Sequence, residues 1–208
     1  MAEVSRLQPQ FPTLARQREA DHLGMLIFLT TEVLIFGGLF AALFVLRAEH
    51  SAEYVKSSKD MHLWLGGLNT AVLLTSSTFV ALMVEAVRAG SARLAKWLLL
   101  GAIALGLAFL AVKFTEYALE YRDAVVPILS PANLHGGPHA LFMDIYFAAT
   151  GLHALHVTVG LGLLGSLIWP FGAARRDTSA VFADNAALYW HLVDVIWIFL
   201  YPTLYLAR

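Results

Sequence analysis

HLGMLIFLTTEVLIFGGLFAALFVLR, residues 22–47, decides the fold: between positions 23 and 46 its one charged side chain is Glu32. A hydrocarbon layer of roughly 30 Å takes about 20 apolar residues in helical form, because lipid offers free backbone N–H and C=O groups no partner. Four further stretches meet that length, at 63–84, 94–112, 140–169 and 186–206. Polar stretches rich in turn-forming residues separate them, including RAEHSAEYVKSSKD, EAVRAGSAR and PFGAARRDTSAVFADN. The predicted fold is all-α: a polytopic bundle of five transmembrane helices, with residues 1–21 as a cytoplasmic tail and 22–208 as one membrane domain.

Composition agrees. Of 208 residues, 59% are hydrophobic and 14% charged, where a soluble domain carries about a quarter charged residues. The formal net charge of −1 supplies no field for nucleic acid. There is no cysteine, which excludes thiolate-held clusters and zinc ribbons, so a metal would need histidine or carboxylate. The polar start, MAEVSRLQPQFPTLARQREADH, has no apolar stretch of the kind a cleavable signal carries, so the first span is expected to be a permanent anchor.

Orientation follows from basic residues in alternate loops. Arg6, Arg16, Arg18, Arg88, Arg93, Lys96, Arg175 and Arg176 fall on one side, against Arg47, Lys56, Lys59, Arg122 and Arg208 on the other. The N-terminus is therefore expected in the cytoplasm and the C-terminus outside. Residues 119–138, with Pro127, Pro131, Gly136 and Pro138, are expected to cross the surface without another span. The pairs Gly37–Gly38 and Gly66–Gly67, and Gly160, Gly162 and Gly165, are expected to let helix backbones approach closely.

Ionisable groups inside the hydrocarbon are the functional candidates. Glu32 sits about ten residues into the first span, where burial favours the neutral acid; a proton-exchanging carboxyl and a hydrogen bond tying two helices both remain open. In the fourth span, which also carries Asp144, His153 and His156 share a helical face. Two histidines fall short of a Zn or Fe site, which needs a ligand from another helix. The spacing of His139 and His153 would suit stacked haems only if a second helix carried a matching pair, and none does. Hydrogen bonding to neighbouring helices or lipid headgroups is the favoured reading.

In the fifth span Trp190, Asp194, Trp197 and Tyr201 form one stripe, with His191 as the nearest conceivable partner of Asp194. Lys113, Glu116 and Glu120 read as a Lys113–Glu116 pair with snorkelling toward water, and Asn69 and Thr70 as interhelical glue.

Taken together, HLGMLIFLTTEVLIFGGLFAALFVLR (22–47), GGLNTAVLLTSSTFVAL (66–82), LGLAFLAVKFTEY (105–117), IYFAATGLHALHVTVGL (145–161) and YWHLVDVIWIFLYP (189–202) resemble, in order, the helices of subunit III of haem-copper oxidases. The resemblance implies an accessory subunit of a bacterial inner-membrane respiratory complex that couples electron transport to proton translocation. Such a chain binds no haem or copper, which reside in catalytic subunit I and copper-bearing subunit II. It holds phospholipid and supports proton uptake. The family's buried glutamate falls on Glu32, and His153, His156, His191, Asp194, Trp197, Glu116, Tyr117 and Asn69 become lipid-cleft or helix-packing residues. Mitochondrial members have seven helices; this chain lacks the first two and resembles the short bacterial form. An accessory subunit of nitric oxide reductase and a small transporter or quinone-binding anchor are the alternatives.

Overall fold

The computed structural model describes residues 9–122, 137–168 and 176–207. Among the described residues there are helices and no strand: α1 (Leu14–Glu49), α2 (Ser51–Asp60), α3 (Leu63–Arg88), α4 (Ala92–Arg122), α5 (Pro138–Ser166) and α6 (Arg176–Tyr205). All except α2 are long and apolar enough to cross a membrane. Each expected span is present, most with ends extended by several residues. The expectation for residues 119–138 falls mainly on positions 123–136, outside the described residues.

α1 starts at Leu14, inside the stretch expected to be tail. Thr13 explains the start: its hydroxyl accepts from the Arg16 N–H (3.3 Å) and its carbonyl from the Gln17 N–H (3.1 Å), satisfying donors at the helix end. The chain divides into two compact units, residues 1–35 and 36–208, with the boundary inside α1. In the first unit Leu23, Ile27, Val33 and Leu34 are exposed, Leu34 by 70%, and Glu32 is buried. Thr30 and Thr31 donate to the carbonyls of Leu26 and Phe28 one turn back, the usual way a hydroxyl is satisfied in a lipid-facing helix.

In the second unit α3, α4, α5 and α6 form a ring, α3 packing on α4 and α6, and α5 on α4 and α6. α3 and α4 are joined by a tight reversal at Gly90, whose φ of 75° lies in the left-handed region that favours glycine. There Ser91 N–H returns to Ala86 C=O (2.9 Å), closing the end of α3. The ring is filled by Phe109, Tyr146, Trp190, Trp197 and Tyr205, all essentially inaccessible. Phe114, Leu155 and Phe199 instead point outward. Buried Lys113, Glu116, Asn69, His153 and Asp194 complete a pattern the reverse of a water-soluble domain's, as lipid solvation demands.

α2 is a difference from the expected loop. Alone it is too short to be stable, and it is held by packing: Tyr54 Oη donates to Thr203 C=O (2.8 Å), its ring meets Phe142 edge-on, and Ser57 Oγ lies 2.7 Å from His139 Nδ1. Burial pushes the Tyr54 hydroxyl up to about 12, against a lowering by Arg47. The protonated phenol thus persists, and the stability it adds is full below its ordinary range near 10 and lost as pH rises through about 12.

The glycine expectation holds in part. Gly37, Gly38, Gly162 and Gly165 face open space, whereas a Cβ on Gly66 would lie 2.9 Å from the Tyr201 ring. The indole of Trp190 lies between two glycines: Cβ atoms on Gly160 of α5 and Gly106 of α4 would meet it at 2.7 and 2.8 Å. Gly160→Ala should cost about 1–3 kcal/mol by overpacking, read as a lower thermal midpoint of the detergent-solubilised protein, and Trp190→Phe in the same chain should recover part of it. An unchanged midpoint for Gly160→Ala alone would contradict this packing.

Candidate functional site: a polar interior

The interior of the ring carries a charged cluster beside α2, where α4 ends, α5 begins and α6 ends. Lys113 Nζ reaches Glu116 Oε2 (3.0 Å), Tyr146 Oη (2.9 Å) and Tyr205 Oη (2.7 Å). An ammonium has three N–H donors and no acceptor, so these three oxygens satisfy it fully. Glu116 Oε1 accepts from Tyr205 Oη (2.6 Å) and Tyr146 Oη (3.0 Å). Glu120 joins through Tyr146, its Oε1 lying 3.2 Å from the phenol. The rings of Tyr117, Tyr146, Trp197 and Tyr205 surround the ammonium at 4.7–5.5 Å, a geometry in which their π faces attract a desolvated cation.

This corrects one expectation. Lys113 and Glu116 do pair, but Lys113 is 1% exposed and turns inward instead of snorkelling to water. The lysine takes this course because two tyrosines from other helices stand at its depth, supplying the acceptors that water would otherwise give. Tyr146 and Tyr205 carried no signal of their own in the sequence; the i, i+3, i+7 spacing of Lys113, Glu116 and Glu120 was the available clue that one helix face carries charge.

Deeper in the ring, Trp190, Asp194 and Trp197 of the stripe are buried. Trp197 Nε1 donates to Thr70 Oγ1 (3.0 Å), and Asn69 Nδ2 approaches Phe109 C=O at 3.5 Å. Tyr117 and Thr150 share a hydrogen bond of 2.6 Å between α4 and α5. His153 is fully buried between Phe109 and Trp197, at 5.5 and 5.1 Å ring to ring. Among the described residues neither of its nitrogens meets a hydrogen-bond partner, contrary to the hydrogen-bonded state expected for it. His156 Nδ1 donates to Leu152 C=O (2.8 Å), and the ring packs against Phe36 and Tyr189.

His191 and Asp194 are not the direct pair their spacing suggested. His191 Nδ1 lies 2.6 Å from Ser77 Oγ on α3. Both Asp194 oxygens are buried without a well-formed hydrogen bond among the described residues. Ser77 was not singled out beforehand, since a lone serine among apolar residues gives no pattern. Among the described residues no three or more His, Cys, Asp or Glu side chains are grouped to hold a metal ion.

These features define a class: a polytopic helical membrane protein whose interior polar groups bind helix to helix. The family model for cytochrome c oxidase subunit III matches residues 13–207. With 33% identity over 191 residues, covering 88% of this chain and 86% of the relative, the chain is similar to cytochrome c oxidase subunit 3 of Thermostichus vulcanus. It is also similar to the subunit 3 of Synechocystis sp., at 35% identity covering 88% and 74%, and to a probable quinol oxidase subunit 3 of Staphylococcus epidermidis, at 28% covering 90% and 89%. The chain belongs to the cytochrome c oxidase subunit III family.

Removing one charge of the buried pair should cost about 3–5 kcal/mol, because its partner is left unpaired out of water. Lys113→Met should therefore lower the thermal midpoint sharply, and Lys113→Met with Glu116→Gln should recover a large part. Equal losses in the single and double variants would contradict the charge coupling.

Proposed function

We propose that this chain acts as the accessory subunit III of a respiratory haem-copper oxidase in a bacterial cytoplasmic membrane. In this reading haem and copper sit in catalytic subunit I and copper-bearing subunit II, where O2 is reduced and protons are translocated. This chain contributes no catalytic residue. It supports the catalytic subunit, retains phospholipid and sustains the proton-uptake region, with its N-terminus in the cytoplasm and its C-terminus in the periplasm.

The observation that carries the reading is how the buried polar groups of this family member are used. The lysine, carboxylate and tyrosines of the ring are consumed in hydrogen bonds to one another, as a scaffold requires and as a solute pathway does not. Glu32 is the carboxyl we assign to the proton-uptake role, as a buried, proton-exchangeable group. His153, His156, His191, Asp194, Trp197, Glu116, Tyr117 and Asn69 serve helix packing, and beside them the lipid-binding surface.

An affinity tag on this chain should bring down an O2-reducing complex from detergent-solubilised membranes. Glu32→Gln should retain that complex, since an amide resembles a protonated acid, while Glu32→Ala should loosen it by on the order of 2 kcal/mol through the void it leaves. Equal and complete loss of assembly in both variants would count against a neutral carboxyl, and recovery of the tagged chain without an oxidase would count against the accessory role. A tag at Arg208 should be reached only from the periplasmic side.

A further inference from the structure

The polar pair of Ser77 and His191 is unlike the others, because it is not fully enclosed by the ring. Ser77 lies near the middle of α3 and His191 near the middle of α6, roughly 16–23 Å from either helix end at 1.5 Å per residue. Both residues are partly exposed. Nδ1 of His191 faces Ser77, so Nε2, on the far side of the ring, is directed away from that bond. It meets no partner among the described residues. Asp194, one turn along α6, adds a carboxyl that lacks a well-formed hydrogen bond.

Lipid tails leave such a group unsatisfied at this depth, and a surface imidazole beside a carboxyl is among the costliest things to present to them. Around the polar spot the surface is apolar: Leu74, Leu188 and Val195 are exposed by 46%, 37% and 46%, with Ala81 beside them. A small polar centre within an apolar rim is the pattern of a helix–helix contact in a membrane, where packing supplies area and one or two hydrogen bonds supply register.

We propose that the α3/α6 face centred on His191 and Ser77 is the docking surface for a transmembrane helix of the partner catalytic subunit, which presents a hydroxyl, amide or carboxyl side chain to His191 Nε2 at mid-bilayer. The inference rests on the accessory-subunit reading above and specifies which face of the chain that partner covers. The complementarity is polar: Ser77 occupies the Nδ1 side of the imidazole, and the partner's side chain completes its Nε2 side. A lipid tail offers no such group, and a purely apolar helix would bury the nitrogen unpaired, which is costly.

The test places a photo-activatable benzoylphenylalanine at Leu188 or Val195, which flank His191, and at Phe114 or Leu155 on α4 and α5 as comparison positions, in the full complex in native membranes. Positions 188 and 195 should cross-link to the catalytic subunit, and 114 and 155 should not. A second arm replaces His191 with Gln or Leu: His191→Leu should raise the rate at which the partner is lost during detergent washing by roughly three- to tenfold, the worth of one interhelical hydrogen bond, and His191→Gln should raise it less. Cross-linking from 114 or 155 in place of 188 and 195 would overturn the assigned face while leaving the accessory role intact. So would cross-links from 188 and 195 to lipid, to a second copy of this chain or within the chain. A complex that co-purifies while none of the four positions cross-links would overturn it too, and absence of any co-purifying oxidase subunit would remove the reading beneath it.

Discussion

Inside a lipid bilayer a polar side chain has only other protein groups to bond with, and the structure is arranged around that constraint. Lys113 expresses it most fully. Its three N–H groups meet one carboxylate and two phenols drawn from three helices, so α4, α5 and α6 are joined at a single nitrogen. Replacing that cluster by apolar residues could give equal stability; its specific contribution is direction, since three fixed donors admit few helix registers.

Packing supplies the other half. Trp190 fits between Gly106 and Gly160 because neither presents a Cβ, and Trp197 links Thr70 to the aromatic box around Lys113 and His153. Shape thus sets the distance between helices and the polar groups set their rotation. The pattern of family membership fits this division of labour: the match runs over nearly the whole chain, as expected when residues from every helix of the ring hold one another in place.

Much of this was legible before any coordinates. Five apolar segments of bilayer length gave the spans, and the stripe of Trp190, Asp194 and Trp197 gave the buried face of α6, because both follow from local periodicity. What escaped depended on neighbours from other helices. Lys113 looked like a residue free to reach water until Tyr146 and Tyr205 were seen at its depth. His191 looked like the partner of Asp194 until Ser77 of α3 was seen beside it. α2 read as a loop because its stability comes from Tyr54 and Ser57 meeting α5 and α6, not from its own ten residues. The open glycines at 37, 38, 162 and 165 show the same limit: a small residue permits close approach, but only a partner makes use of it.

In the proposed reading this chain is a scaffold without redox groups of its own inside a larger oxidase. Native mass spectrometry of the intact detergent-solubilised complex tests it directly, by releasing this subunit in the gas phase and weighing it. The expected result is this subunit carrying at most phospholipid, released from a complex whose remaining subunits retain haem and copper. A released chain that carries haem or copper, or a chain found alone without oxidase subunits, would contradict it.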